Sequence, residues 1–415
     1  MRESVHAPMG QPVAPSERFL ILDALRGFAL LGICLANFPE FSFYTFLLPE
    51  AREALPTFGI DRFVMGLIYT FIDGKFYTIF SLLFGIGFSI IINNALKRGI
   101  SGFKIFYRRM TVLMIIGFAH LMLLWSGDIL MLYALVGMIL PIFHKCNNKT
   151  LLLWSLFFLL LPVGVDFLCQ ATQLNLAHPL VEQQWILCNK YGITEENFAY
   201  YLKDADSYGD VFKFLIMGSV ERMSEFVDGN RYFKVLGLFL LGFYIGRNRL
   251  YSMLWEKRKV LRNIALIGIL IGLPLSAVYS WSCLNSHPLG LGLHSLLYFI
   301  SVYITSFGYI SLFCLLYLWT SGGIIWRLFS YPGRMALTNY IGQSVFGIII
   351  FYGIGFGIGA TTGLVWVEWI AFGVFVCEVI LSQLWLSRFR FGPLEWIWRC
   401  LTYGKIFRIL NDKDS

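Results

Sequence analysis

Along this chain, runs of about 20 apolar residues alternate with short polar stretches, and a run of that length fits one helical crossing of a hydrocarbon layer. Ten such runs are read, at about 19–38, 75–96, 109–125, 129–144, 150–169, 232–247, 261–283, 295–319, 335–358 and 364–386. The pattern predicts an all-α, polytopic integral membrane protein with about ten transmembrane helices. It divides the chain into a polar N-terminal tail (1–18), an N-terminal membrane half (19–169), a long polar loop (170–231), a C-terminal membrane half (232–387) and a basic interfacial tail (388–415). The first run is of full membrane length and lacks a small-residue cleavage site, so a removed signal peptide is not expected.

Charge orients these segments. Segment 97–109 holds Lys97, Arg98, Lys104, Arg108 and Arg109, segment 247–262 holds Arg247, Arg249, Lys257, Arg258, Lys259 and Arg262, and six more basic residues follow position 387. These are alternate loops, and the positive-inside rule puts all of them in the cytoplasm if both termini are cytoplasmic. Loop 39–62 carries Glu40, Glu50, Glu53 and Asp61 against two arginines, and 170–231 carries nine carboxylates against five bases, as expected of the opposite side. The mixed pattern of 170–231 predicts amphipathic helices along the outer face, either a spacer or a lid.

Composition agrees: 57% of residues are hydrophobic and 14% charged. The net charge of +8 sits in clusters between apolar runs, so membrane sorting explains it without nucleic acid. The eight cysteines show no C-x-x-C spacing and no histidine partners at zinc distances; they read as small apolar fillers, and no metal is expected.

Polar groups at membrane depth are costly, which makes them the candidates for function. Asp23 and Arg26 share a helix face and read as a local ion pair or the start of a functional stripe. Asn37 lies on the same face, about 16 Å further along at 1.5 Å per residue. In "YTFIDGKFYTIF", Asp73 reads as a helix cap beside a snorkelling Lys75, or as a carboxylate that orients an imidazole. His120, with Trp125, Gly127 and Asp128 in the following turn, reads as a packing residue or as a general base. Predicted topology brings Asn37, Asp73, His120 and Asp128 to one depth, which suggests a pocket. In "YPGRMALTNYIGQSVF", Arg334, Asn339, Tyr340 and Gln343 read as positive-inside sorting or as a clamp for an anionic cofactor. The tail "RFRFGPLEWIWRCLTYGK" reads as a membrane anchor.

The blocks "DALRGFALLGICLANF", "DGKFYTIFSLLFGIGF", "GFAHLMLLWSGDILMLYALVG", "GRMALTNYIGQS" and "FGPLEWIWR" resemble the YeiB family over nearly the whole chain. Through it the chain is similar to the wider group of transmembrane acyltransferases, including acyltransferase-3 proteins and the lysosomal heparan-alpha-glucosaminide N-acetyltransferase. The arginine, ten residues, then histidine pattern of acyltransferase-3 first helices falls on Arg26 and Asn37, with asparagine in the histidine's place. The heparan-type branch has that asparagine, and its following aspartate falls on Asp73. Its catalytic histidine has no counterpart in loop 39–62, so His120 would supply the base.

What the resemblance implies is an acyltransferase of the bacterial inner membrane. It would move an acyl group, acetyl being the expected one, from cytoplasmic acyl-CoA to an acceptor hydroxyl or amine on the other side. His120, Asp73, Asp128 and Asn37 are the expected catalytic groups, and Arg26, Arg334, Asn339, Tyr340, Gln343 and Lys75 the cofactor-binding ones. Expected partners are the lipid bilayer, a small-molecule or glycan acceptor, and a second copy of the chain in a homodimer. The rival readings are a proton-coupled transporter or flippase and a non-catalytic scaffold.

Overall fold

The computed structural model describes residues 19–97, 99, 101–320 and 323–411; the polar tail 1–18 and Arg98 lie outside the described residues. Seven helical segments are long and apolar enough to cross a membrane: Leu20–Phe41, Phe58–Lys97, Gly102–Leu123, Asn148–Thr172, Arg258–Leu284, Gly290–Trp319 and Leu364–Arg388. Shorter apolar helices, Leu130–Phe143 and Ala336–Phe351, and the Arg231–Arg247 helix beside Lys75–Lys97 lie among them. The described residues form no strand, only an isolated bridge between Phe389 and Leu410. The chain is an all-α, multi-pass membrane protein.

Three elements depart from the sequence expectation. Phe58–Phe71, read largely as loop, is a helix that packs on Leu273–Leu284 and exposes Ile60, Phe63, Leu67 and Phe71. It turns into Lys75–Lys97 at Gly74, whose φ of +74° costs a glycine nothing and whose missing Cβ leaves room for the Tyr298 hydroxyl. The expected span 335–358 stops at Phe351, because "YGIGFGIGATTG" places a glycine at alternate positions, each unfavourable in a helix. That glycine loop docks instead on its neighbours: Gly353 N donates to Leu202 O (2.9 Å) and Ala360 N to Ser42 O (2.7 Å). Third, Ile324–Arg334 forms an unexpected amphipathic helix lying along Leu20–Phe41.

This last pairing brings two backbones into contact. A Cβ on Gly27 would strike the Phe329 carbonyl, and one on Gly333 would strike that of Asp23. Small residues at such a crossing let helices approach closely where lipid supplies no hydrophobic drive for association. The approach also lets Arg26 Nη1 reach Gly333 O at 3.3 Å.

The C-terminal helix Pro393–Tyr403 does more than anchor. The Glu395 carboxylate accepts from Leu337 N (2.7 Å), Thr338 N (3.0 Å) and Thr338 Oγ1 (2.6 Å). It thereby caps the Ala336–Phe351 helix, where orphan N–H groups and the helix dipole favour an acceptor. Trp398 Nε1 donates to Arg109 O at 2.8 Å, tying the same tail to Gly102–Leu123. The starts of three membrane helices and the tail therefore meet at one end of the bundle. At the other end, His178–Tyr191 and Tyr208–Asp228 pack on each other through Cys188, Val211 and Leu215, and Arg222 binds them to the bundle. All eight cysteines are free.

Replacing Gly27 or Gly333 with leucine is expected to lower the yield of monodisperse folded protein roughly tenfold or more, by forcing the paired helices apart. Gly59→Leu, whose Cβ meets nothing within 4 Å, is the control expected to fold normally. Fluorescence-detected size exclusion of tagged protein in detergent measures all three.

Candidate functional site

Polar side chains that face inward converge on one elongated cavity of about 960 Å³. One end is lined by Arg26, Arg109, Arg334, Arg390 and Arg399, with Asp23 and Glu395 the carboxylates among them. Arg26 comes from the second turn of Leu20–Phe41 and donates to Asp23 Oδ1 at 2.8 Å, the ion pair read from their spacing. The Arg109 guanidinium lies 3.6 Å above the Trp398 ring and that of Arg399 lies 4.3 Å above Phe391, so aromatic faces hold two of the five in place. Burial pushes the Glu395 carboxyl above its ordinary range, opposed by the hydrogen bonds from Thr338 and Leu337.

The middle is largely apolar, walled by Ile33, Phe80, Phe84, Leu113, Leu130 and Tyr133, with Asn37 as the polar side chain on the stripe that begins at Arg26. The far end is polar again. Asp73 lines it and accepts from the Tyr279 hydroxyl at 2.7 Å. His294 stacks on Tyr279 with ring centroids 5.3 Å apart, and His287 meets His294 edge-on at 4.2 Å. Asp166, Lys234, Arg231 and Arg222 complete that end, with Asp166 held by Asn230 at 2.8 Å.

The expected pocket of Asn37, Asp73, His120 and Asp128 divides in two. Asn37 and Asp73 line the cavity, whereas His120 and Asp128, each 1% exposed, are enclosed beside it. His120 Nδ1 is 2.9 Å from Asp128 Oδ1 and its Nε2 is 2.8 Å from Ser344 Oγ, so neither ring nitrogen is left for a substrate. Asp128 Oδ2 also accepts from Met131 N at 2.8 Å, capping Leu130–Gly137. The arrangement has the connectivity of a Ser–His–Asp triad, but Ser344 is fully buried and is not among the residues that line the cavity. The network links the Gly102–Leu123, Leu130–Gly137 and Ala336–Phe351 helices through buried hydrogen bonds.

The expected cofactor-binding set divides likewise. Arg26, Arg334 and Tyr340 line the cavity. Asn339 instead donates to Ser382 Oγ (2.9 Å), Gln343 to Glu378 Oε2 (3.0 Å) and Lys75 to Tyr69 O (2.7 Å), each buried and turned to a neighbouring helix. The expectation that cysteines lack histidine partners is also corrected: ligand-capable atoms of Cys283, His287 and His294 all lie within 4.8 Å of one another. Their sequence spacing, C-x3-H-x6-H across a helix–turn–helix, matches no common zinc pattern. Arg109, Arg390 and Arg399 were hidden because basic residues between spans are already explained by membrane sorting, and Ser344 because a serine in an apolar helix carries no signal of its own.

Arg222 sits where the loop domain meets the bundle. It donates to Ser126 O at 3.0 Å and pairs with Glu225 and with Glu40 at 3.4 Å. Beside it, burial, and then the charge of Glu225, push the Glu221 carboxyl up to about 7.

The protein named YxaH of Bacillus subtilis (strain 168) is 30% identical to this chain over 406 residues, covering 95% of this chain and 96% of its own length. The protein named YeiB of Escherichia coli (strain K12) is 28% identical over 403 residues, covering 93% and 96%. The chain belongs to the YeiB family. A 39.9 kDa protein from the amylase 3' region of Bacillus acidopullulyticus is 31% identical over 405 residues, covering 97% and 99%. A family model described as a protein of unknown function (DUF418) matches residues 245–405. This segment of the YeiB-family chain contains Cys283, His287, His294, Arg334, Ser344 and Glu395.

Two measurements check the site. His120→Ala removes the buried partner of Asp128 Oδ1 and of Ser344 Oγ and is expected to destabilise the fold by about 2–4 kcal/mol, read as a fall of several degrees in melting temperature in detergent. For Glu221, a folded-state value raised above the unfolded carboxyl means that stability is greatest at low pH and falls as pH rises from about 4.5 to about 7. Glu221→Gln is expected to flatten that fall in a melting-temperature series from pH 4 to 8.

Proposed function

We propose that the chain is an acyltransferase of the bacterial cytoplasmic membrane that carries an acyl group from acyl-CoA to an acceptor on the opposite side. The observation that carries this reading is the cavity itself, which leads from a cluster of five arginines, through an apolar waist, to a polar end with carboxylate, phenol and imidazole groups. Guanidinium groups match the planar, multiply charged phosphates of a CoA nucleotide. The positive-inside rule assigns the arginine-rich end to the cytoplasm, where acyl-CoA is made. The waist fits a pantetheine arm, whose length of roughly 15–20 Å is comparable with the rise from Arg26 to Asn37.

In this reading Arg26, Arg334 and the three further arginines hold the phosphates. Asn37, the polar group of the waist, donates to the oxyanion that develops on the thioester carbonyl. The base comes from the groups that line the far end: Asp73, aligned by the Tyr279 hydroxyl, with His294 beside it, removes the proton of an acceptor hydroxyl or amine. His120 and Asp128 act as positioning residues through their hold on Leu130–Gly137 and Ala336–Phe351. The acceptor is a small molecule or glycan that enters from the side of the 170–231 domain.

Acetyl-CoA carrying a labelled acetyl group, added to vesicles that contain the protein and the host's envelope acceptors, tests the proposal. The expected result is transfer of label into the acceptor fraction. Asp73→Asn is expected to reduce that transfer at least a hundredfold while acetyl-CoA still raises the melting temperature, and Arg26→Ala to weaken that thermal shift about tenfold in concentration. No transfer above empty vesicles together with no thermal shift contradicts the reading. Solute flux driven by a proton gradient without acyl-CoA favours a carrier.

A further inference from the structure

The far end of the cavity holds a cluster of three side chains, of which acyl transfer as proposed uses only His294. Cys283 closes the Leu273–Leu284 helix, His287 sits in the turn that follows, and His294 lies in the first turns of Gly290–Trp319. Ser286 and His287 both adopt left-handed backbone conformations, φ 57° and 56°, which reverse the chain sharply enough to fold His287 back over both helix ends. The result is a thiol and two imidazoles whose ligand atoms lie within 4.8 Å of one another.

From this geometry we propose that Cys283, His287 and His294 form a zinc site at the mouth of the cavity. The ligand atoms of a tetrahedral zinc lie about 3.5 Å apart, given Zn–S near 2.3 Å and Zn–N near 2.0 Å. Closing the trio onto a metal therefore takes movements of about 1 Å, which the exposed His287 side chain supplies by rotation. The donor set is of borderline softness: a thiolate and imidazoles select zinc, whereas magnesium and calcium prefer oxygen. On binding, the Cys283 sulfur gives its proton to solvent and its electron pair to the metal.

The surroundings favour a built site. Tyr279 stacks on His294 and fixes the plane of its ring, and Ser282 Oγ stands 3.5 Å from His294 Nδ1, so Nε2 can serve the metal while Nδ1 faces a polar partner. Three protein ligands leave the fourth tetrahedral position open, the pattern of zinc sites that bind a water or a substrate oxygen. His287 and His294 both line the cavity, so the open position takes an oxygen ligand from its interior. The site stands on these residues alone and does not depend on acyl-CoA being the donor.

The test uses the full chain, purified in detergent through a tag without histidine. Elemental analysis is expected to find about one zinc per folded chain. After chelation, titration with cobalt(II) is expected to produce tetrahedral visible bands and a near-ultraviolet thiolate-to-cobalt band. Cys283→Ser removes the thiolate band. His287→Ala, a change at an exposed turn, weakens cobalt binding tenfold or more while circular dichroism and elution volume stay unchanged. The proposal is overturned by folded protein that neither contains zinc nor develops these bands, or by bands that persist unaltered in both variants.

Discussion

An ionised side chain in hydrocarbon costs several kilocalories per mole unless it finds a partner or water, and this chain is organised around that cost. Its inward polar groups are gathered either on the wall of one cavity or into small networks enclosed between helices. Arg26, Asn37 and Asp73 took the first course, and His120, Asp128 and Ser344 the second. The lipid-facing surface can then remain apolar while the interior carries charge at both ends.

The Leu20–Phe41 helix is the spine of that arrangement. Its glycine contact with Ile324–Arg334 fixes Arg26 at one end of the cavity, Asn37 lines the waist, and Glu40 meets Arg222 of the Tyr208–Asp228 helix at the other end. The tail helix completes the arginine-rich end through Glu395, so a segment that looks like an interfacial anchor also builds the wall of the proposed donor site. Several elements separated by hundreds of residues are thus tied to the same two cavity ends.

Most of the membrane helices could be read from apolar run lengths, and the Arg26–Asn37 stripe from a spacing of eleven on one helix face. Where a helix is apolar on every side, however, periodicity does not reveal which face a lone polar residue occupies. His120 illustrates this: its sequence context suits a base in a pocket, and its packing turns it toward Ser344 instead. Asn339 and Gln343 lie within a few residues of Arg334 and Tyr340, yet they face Ser382 and Glu378 on a neighbouring helix, a difference set by helix rotation rather than composition. The grouping of Cys283, His287 and His294 depends on two residues in left-handed conformations, which no spacing rule anticipates.

The central claim is that the cavity holds an acyl donor with its phosphates on the arginines and its arm along the waist. Electron cryomicroscopy of the protein with a non-hydrolysable thioether analogue of acetyl-CoA tests it most directly. The account predicts nucleotide density against Arg26 and Arg334 and a continuous arm passing Asn37 toward Asp73. A cavity that holds only lipid at saturating analogue, or analogue bound elsewhere, would contradict it.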